Sequence, residues 1–111
     1  MKQGEIWLIN YPDGAGHEYF KERPALIIES NKQIIKTNIY TVVAITSNTN
    51  NITDDDILIA RNNFNNLHSD SVIKVHHIQS FDMSRFLKKI GKVKTQVLGD
   101  VKEYLKMHFE L

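Results

Sequence analysis

A chain of 111 residues with 41% hydrophobic side chains has room for one packed core, so residues 1–111 are expected to form a single domain. The absence of cysteine excludes a disulfide scaffold and favours a cytoplasmic setting, and no apolar run is long enough for a membrane helix. A net charge of +1 excludes a general polyanion binder, yet residues 1–70 carry 6 Lys/Arg against 9 Asp/Glu while residues 71–111 carry 8 against 4. The basic C-terminal part is either a local phosphate-contacting surface or a solvated lysine face.

Met1–Glu5 leads straight into apolar residues and lacks the pattern of a signal peptide. Gly4–Asn10, rich in β-branched and aromatic residues, predicts a first strand, with Trp7 in the core. Tyr11–Lys21 reads as a loop, because Pro-Asp-Gly is a turn signature. Arg23–Ser30 predicts a second strand. Its centre, Ala25–Ile28, is apolar on both faces, and Pro24 must stand at its start because proline cannot donate to a ladder. Asn31–Asn38 is polar and reads as a connection. Tyr40–Thr46 predicts a third strand, followed by a polar loop over Ser47–Asp56 and a short strand at Ile57–Ala60. Asp54, Asp55 and Asp56 are expected in solvent, with no partners at metal-ligand spacing.

An Asn-rich loop then runs to Asp70, and the high Asn and Lys content carries no mechanistic implication of its own. Ser71–Phe81 predicts a longer strand. Ile73 and Val75 share one face while Ile78 falls on the other, which a bulge near His76 and His77 would reconcile. Alternation otherwise sends those two imidazoles to opposite faces. Asp82 is placed to cap a helical turn over Met83–Lys88, and Ile90–Val93 reads as a brief strand. Thr95 is expected to cap a C-terminal helix, with Val97, Leu98, Val101, Tyr104, Leu105 and His108 forming its apolar stripe. The sum is a small, mainly β (α+β) barrel closed by one helix.

The order of these motifs resembles the MazF/PemK (also Kid) toxins: Gly4–Ile9 (GEIWLI), Gly16-His17-Glu18 with Arg23-Pro24, Ala25–Ile28 (ALII), Val42–Ser47 (VVAITS), Asp70–Ile73 (DSVI) and Ile78–Asp82 (IQSFD). The resemblance covers nearly the whole chain. It implies an SH3-like half-open barrel of about five to seven strands with a C-terminal α-helix. It also implies a homodimer and a metal-independent, sequence-selective endoribonuclease for single-stranded RNA, without cofactor, held by a cognate antitoxin. Carried over by position, Arg23 and Thr46 match the catalytic pair, and Glu18 matches an acidic loop residue tied to activity. His17, Lys21, Ser47, Asn48, His77 and Gln79 are the residues expected along the RNA. The chain departs from the family pattern at Tyr19–Lys21, where many members are small. It departs again at His77-Ile78-Gln79, where many have Gln-Ile-Arg and so one more phosphate contact.

The chemistry suits those residue types. Attack of a ribose 2′-hydroxyl on the neighbouring phosphorus adds negative charge to the non-bridging oxygens. A guanidinium binds two of them at once, and a threonine hydroxyl can donate to one. With an arginine pKa above about 12, His17 or Glu18 suits proton transfer better than Arg23. Taken singly, Arg23 is equally a strand-end arginine in a surface ion pair, and Thr46 an ordinary strand residue. Two other readings fit the fold: a non-enzymatic toxin like the CcdB-type gyrase poisons, and a catalytically silent barrel that binds RNA or a partner. The loops His17–Lys21 and Ser47–Asp56 are expected to flank a groove shared by RNA and an antitoxin tail. A homodimer is expected to cover apolar strand surface that one sheet and one helix leave over.

Overall fold

The structure, a computed structural model, describes residues 1–12 and 21–111. His17 and Glu18 therefore lie outside the described residues. Within them the strands are β1 Glu5–Tyr11, β2 Lys21–Ile27, β3 Ile39–Thr46, β4 Asp56–Ile59, β5 Ser71–Asp82 and β6 Phe86–Lys92. They form one antiparallel sheet in the order β4-β5-β3-β2-β1-β6, with β4 and β6 as unjoined edges. The helices are a single turn, α1 (Asn31–Ile34), and the C-terminal α2 (Thr95–Phe109).

Alternation along the central strands builds a core on each face of the sheet. On one face Ile6, Leu26, Val43, Ile45, Ile73 and Val75 pack under α2, whose Val97, Leu98, Val101, Tyr104 and Leu105 supply the expected stripe. On the other, Ile9, Ala25, Ile27, Val42 and Ala44 pack with Tyr11, Tyr40, Phe81 and Phe86. Tyr11 meets Phe81 edge-on at 4.9 Å between ring centres, and Tyr40 meets Phe86 at 5.4 Å. In each pair the strands stand three places apart in the sheet, so the sheet must curl over this second face to bring the rings together. The result is the half-open barrel. Trp7 packs half-buried against the same inner core, and its Nε1 donates to Glu5 Oε1 at 2.9 Å.

The curl removes one ground for expecting a homodimer. Ala25, Leu26, Ile27 and Val42–Ile45 are all buried within a single chain, on both faces. The bulge in β5 is present and large. Val43 pairs with Ile78, whereas its neighbour Ala44 pairs with Lys74, so residues 75–77 are extra. That insertion returns Ile78 to the face of Ile73 and Val75. It also overturns the simple alternation of His76 and His77, whose rings meet edge-on at 4.5 Å.

Several local expectations change. Asn31–Ile34 is a helical turn capped by Ser30, whose side chain accepts from the Gln33 N–H. Asp82 does cap a turn, accepting from the Ser84 N–H, but the 3-10 segment stops at Arg85 and β6 starts at Phe86. Edge position explains why periodicity marks only the end of β6 as strand: its Leu87, Lys88 and Lys89 are exposed and break the apolar pattern. Thr95 is the first residue of α2 rather than its cap, and Lys94 holds the cap position without a side-chain bond. Asp56 is not in solvent. Its side chain is 0% exposed and sits 2.8 Å from Lys74 Nζ.

Candidate functional site

Pro24 ends the hydrogen-bonded ladder between β2 and β3, which pairs Ala25 with Ala44, Leu26 with Val43 and Ile27 with Val42. The same register continued past Pro24 sets Arg23 opposite Thr46. By alternation both side chains leave the sheet on the face of Ala25 and Ala44, at the end of the strands where that face opens. Directly opposed residues of this kind stand about 5 Å apart at Cβ.

Neither group is consumed by the fold. Arg23 is half-buried and has no ion pair or side-chain hydrogen bond with another described residue. Thr46 is 9% exposed, and its Oγ1 accepts from the Asn48 N–H at 3.1 Å. That bond orients the hydroxyl and leaves its own hydrogen without an acceptor among the described residues. The pair is therefore a fixed cation beside an oriented neutral donor, a combination suited to an oxyanion.

An open cleft of about 700 Å³ adjoins the pair on the α2 side of the sheet. Leu8, Pro24, Ile45, Leu67 and Ile90 line it with apolar surface, while Lys21, Arg23, Lys88 and Lys89 stand around it against one acid, Glu22. Lys21 and Ser47 thus reach the cleft, as expected of the flanking loops. Asn48 contributes its backbone to Thr46, and its side chain accepts from the Asn50 N–H. His77 and Gln79 do not line the cleft. Gln79 pairs with Val42, four residues and about 13 Å along β3 from Thr46.

His76 and His108 do not line the cleft. His76 stacks on His108 of α2 at 5.4 Å, and His108 Nδ1 lies 3.4 Å from Asp55 Oδ2. The three aspartates do not converge: Asp55 serves His108, and Asp56 serves Lys74 and Thr53. Burial alone would push the Asp56 carboxyl up. The Lys74 ammonium and two Thr53 donors outweigh it and hold the pKa below the ordinary carboxylate value. Lys74 also donates to Asn51 O at 3.2 Å, which ties the loop after Thr46 to β5.

Lys88, Lys89, Asn66 and His68 are cleft residues that no sequence motif singles out. The charge asymmetry is the only signal for the two lysines, and it is diluted, since Lys74 and Lys106 pair with acids and Lys92 sits over the Phe64 ring. The Asn-rich loop also proves structural. Asn65 Oδ1 accepts from the N–H groups of Asn62 and Leu67, its Nδ2 donates to Ala60 O, and Asn62 Oδ1 accepts from Phe64 and Asn65.

Residues 2–109 match the family model described as PemK-like, MazF-like toxin of type II toxin-antitoxin system. Among curated proteins, the chain is 28% identical over 116 residues to Endoribonuclease MazF9 of Mycobacterium tuberculosis, covering 100% of this chain and 98% of that one. Among solved structures it resembles MazF from Deinococcus radiodurans, with TM-score 0.83, 21% identity and 100% and 97% of the two chains covered. It also resembles an endoribonuclease in complex with its cognate antitoxin from a Mycobacterial species, with TM-score 0.79, 15% identity and coverage of 100% and 96%.

Proposed function

Because the chain belongs to the PemK-like, MazF-like toxin family of type II toxin-antitoxin systems, we propose that it is an endoribonuclease that cuts single-stranded RNA with Arg23 and Thr46. The observation that carries the assignment of residues is their placement: two uncommitted donors, one charged and one neutral, opposed across β2 and β3 beside a cationic cleft.

The ribose 2′-oxygen attacks the adjacent phosphorus and the bond from phosphorus to the 5′-oxygen breaks. The products are a 2′,3′-cyclic phosphate and a 5′-hydroxyl. Arg23 binds the non-bridging oxygens as their charge rises, and Thr46 donates to one of them. These donors do the electrostatic work without a metal ion. The 2′-hydroxyl proton goes to a base and the leaving 5′-oxygen receives one from an acid, roles that suit His17 and Glu18 by their ordinary pKa ranges. The reading includes a cognate antitoxin that occupies the RNA path, a homodimer and a cytoplasmic location, where RNA is met. Exposed Ile39 and Met83 lie near one another, since the Met83 N–H bonds to Asn38 O, and they offer an apolar surface for self-association.

The test is incubation of purified protein with a long RNA in EDTA, followed by mapping of the ends. Cleavage with cyclic phosphate ends is expected. Arg23→Ala is expected to slow it at least about a hundredfold, with a smaller loss for Thr46→Val. Folded Arg23→Ala cutting at the wild-type rate refutes the assignment, and no cleavage by the wild type favours the non-enzymatic readings.

A further inference from the structure

We propose that the cleft between β2, β6 and the 66–71 segment is a nucleotide subsite for the RNA strand, taking one base on its apolar surface and the neighbouring phosphate on Lys88. The inference rests on the endoribonuclease reading and specifies where the strand runs beyond the Arg23–Thr46 pair.

Four features of the cleft converge on a nucleotide. Its interior surface, from Leu8, Pro24, Leu67 and Ile90, suits the face of a base. Its rim is cationic, and the cations are not equivalent. Lys89 is held 3.1 Å from Glu5 Oε2. Lys88 is exposed and has no ion pair or side-chain hydrogen bond with another described residue, so its ammonium is not already paired with a described carboxylate. Arg23 stands at this rim and also opposes Thr46 across β2 and β3, so the cleft and the candidate active site meet at the same end of β2.

The cleft is also held in shape. Lys21 (φ 74°) and Asn66 (φ 54°) adopt the left-handed conformation that non-glycine residues seldom take, and both line the cleft. Asn66 Nδ2 donates to Ile90 O at 3.0 Å, which leaves its Oδ1 to accept from a base N–H. Behind it the backbone of Phe64 and Asn65 lies so close to Gly91 that a Cβ there would stand 2.4 Å from Asn65 O. A wall fixed in this way orders little further on binding, which favours affinity. An acidic peptide shares the attraction to cations but does not call for an apolar surface beside Arg23.

The experiment measures binding of an RNA with its cleavage-site 2′-hydroxyl replaced by hydrogen, over a range of salt, for wild type, Lys88→Gln, Lys88→Glu and Asn66→Gly. Glycine keeps the left-handed backbone while removing the carboxamide. Loss of one phosphate contact lowers the slope of log affinity against log salt by about 0.7. Lys88→Gln is expected to show that change, and Lys88→Glu to weaken binding at least about tenfold at low salt. Asn66→Gly is expected to weaken binding without changing the slope. A thio-substituted uridine beside the cleavage site is expected to crosslink to residues 66–69 or 88–90. Folded Lys88 variants that keep both affinity and slope, while the wild type still cuts RNA, overturn the subsite and leave the endoribonuclease reading intact. A wild type that neither binds nor cuts RNA overturns both. Loss of binding to poly-glutamate with RNA binding unchanged assigns the cleft to a peptide and overturns the proposal.

Discussion

Replacing Lys74 with methionine is expected to destabilise this protein far more than the loss of a surface ion pair would. Asp56 has a side chain 0% exposed and Lys74 one 12% exposed, with Oδ2 and Nζ 2.8 Å apart. Asp56 Oδ2 further accepts from Thr53 N and Oγ1, whereas Oδ1 is buried with no hydrogen-bond partner. Methionine fills the volume of the lysine stem but leaves the carboxylate buried without its counter-charge. Breaking such a pair from one side costs about 3–5 kcal/mol. Against a total stability of about 5–15 kcal/mol for a domain, that is a large share. The loss corresponds to a fall of more than about 12 °C in Tm. Replacing both partners, in Lys74→Met with Asp56→Leu, is expected to recover most of it, because no isolated charge remains. Urea unfolding at pH 7 on the four members of the cycle measures the coupling directly. A loss below about 1 kcal/mol for Lys74→Met alone refutes the reasoning, since it would mean that Asp56 is hydrated or already neutral in the folded protein.

Asp56 and Glu5 both have carboxyl groups held below their ordinary values, by Lys74 and Thr53 and by Trp7 and Lys89 against the opposing effect of burial. Their stabilisation is therefore complete above about pH 4–5 and is lost as pH falls through the lowered folded values, which urea unfolding from pH 6 to pH 2 measures. Gly91→Ala is expected to destabilise by about 1–3 kcal/mol, because backbone atoms of the 64–65 segment occupy the space. It should also weaken RNA binding through the displaced cleft wall, seen in a filter-binding or fluorescence titration. Asn65→Ala removes three loop hydrogen bonds and is expected to lose at least about 2 kcal/mol in thermal unfolding.

Local physics makes most of the elements legible in the sequence. Apolar runs at Ala25–Ile28 and Val42–Ile45, short and rich in β-branched residues, read as strands buried on both faces, and the spacing from Val97 to Leu105 reads as one apolar side of a helix. The mismatch in phase between Val75 and Ile78 even locates the bulge. Motif order carries the family, and through it Arg23 and Thr46. What the chain does not disclose one residue at a time is partnership over distance. Asp56 and Lys74 look like solvated charges until β4 and β5 pair and desolvate them together. Asn62 and Asn65 look like filler until the loop must satisfy its own buried backbone. Lys88 and Lys89 are two lysines among 14 Lys/Arg until an edge strand sets them beside Arg23. The second core, and with it the half-barrel, follows from a curl that brings Tyr11 to Phe81 and Tyr40 to Phe86. Periodicity records which side of a strand is apolar, because that depends on neighbours in the chain. How far a sheet bends, and which charges then share a cleft, depends on packing between strands distant in sequence, and only the tertiary structure decides it.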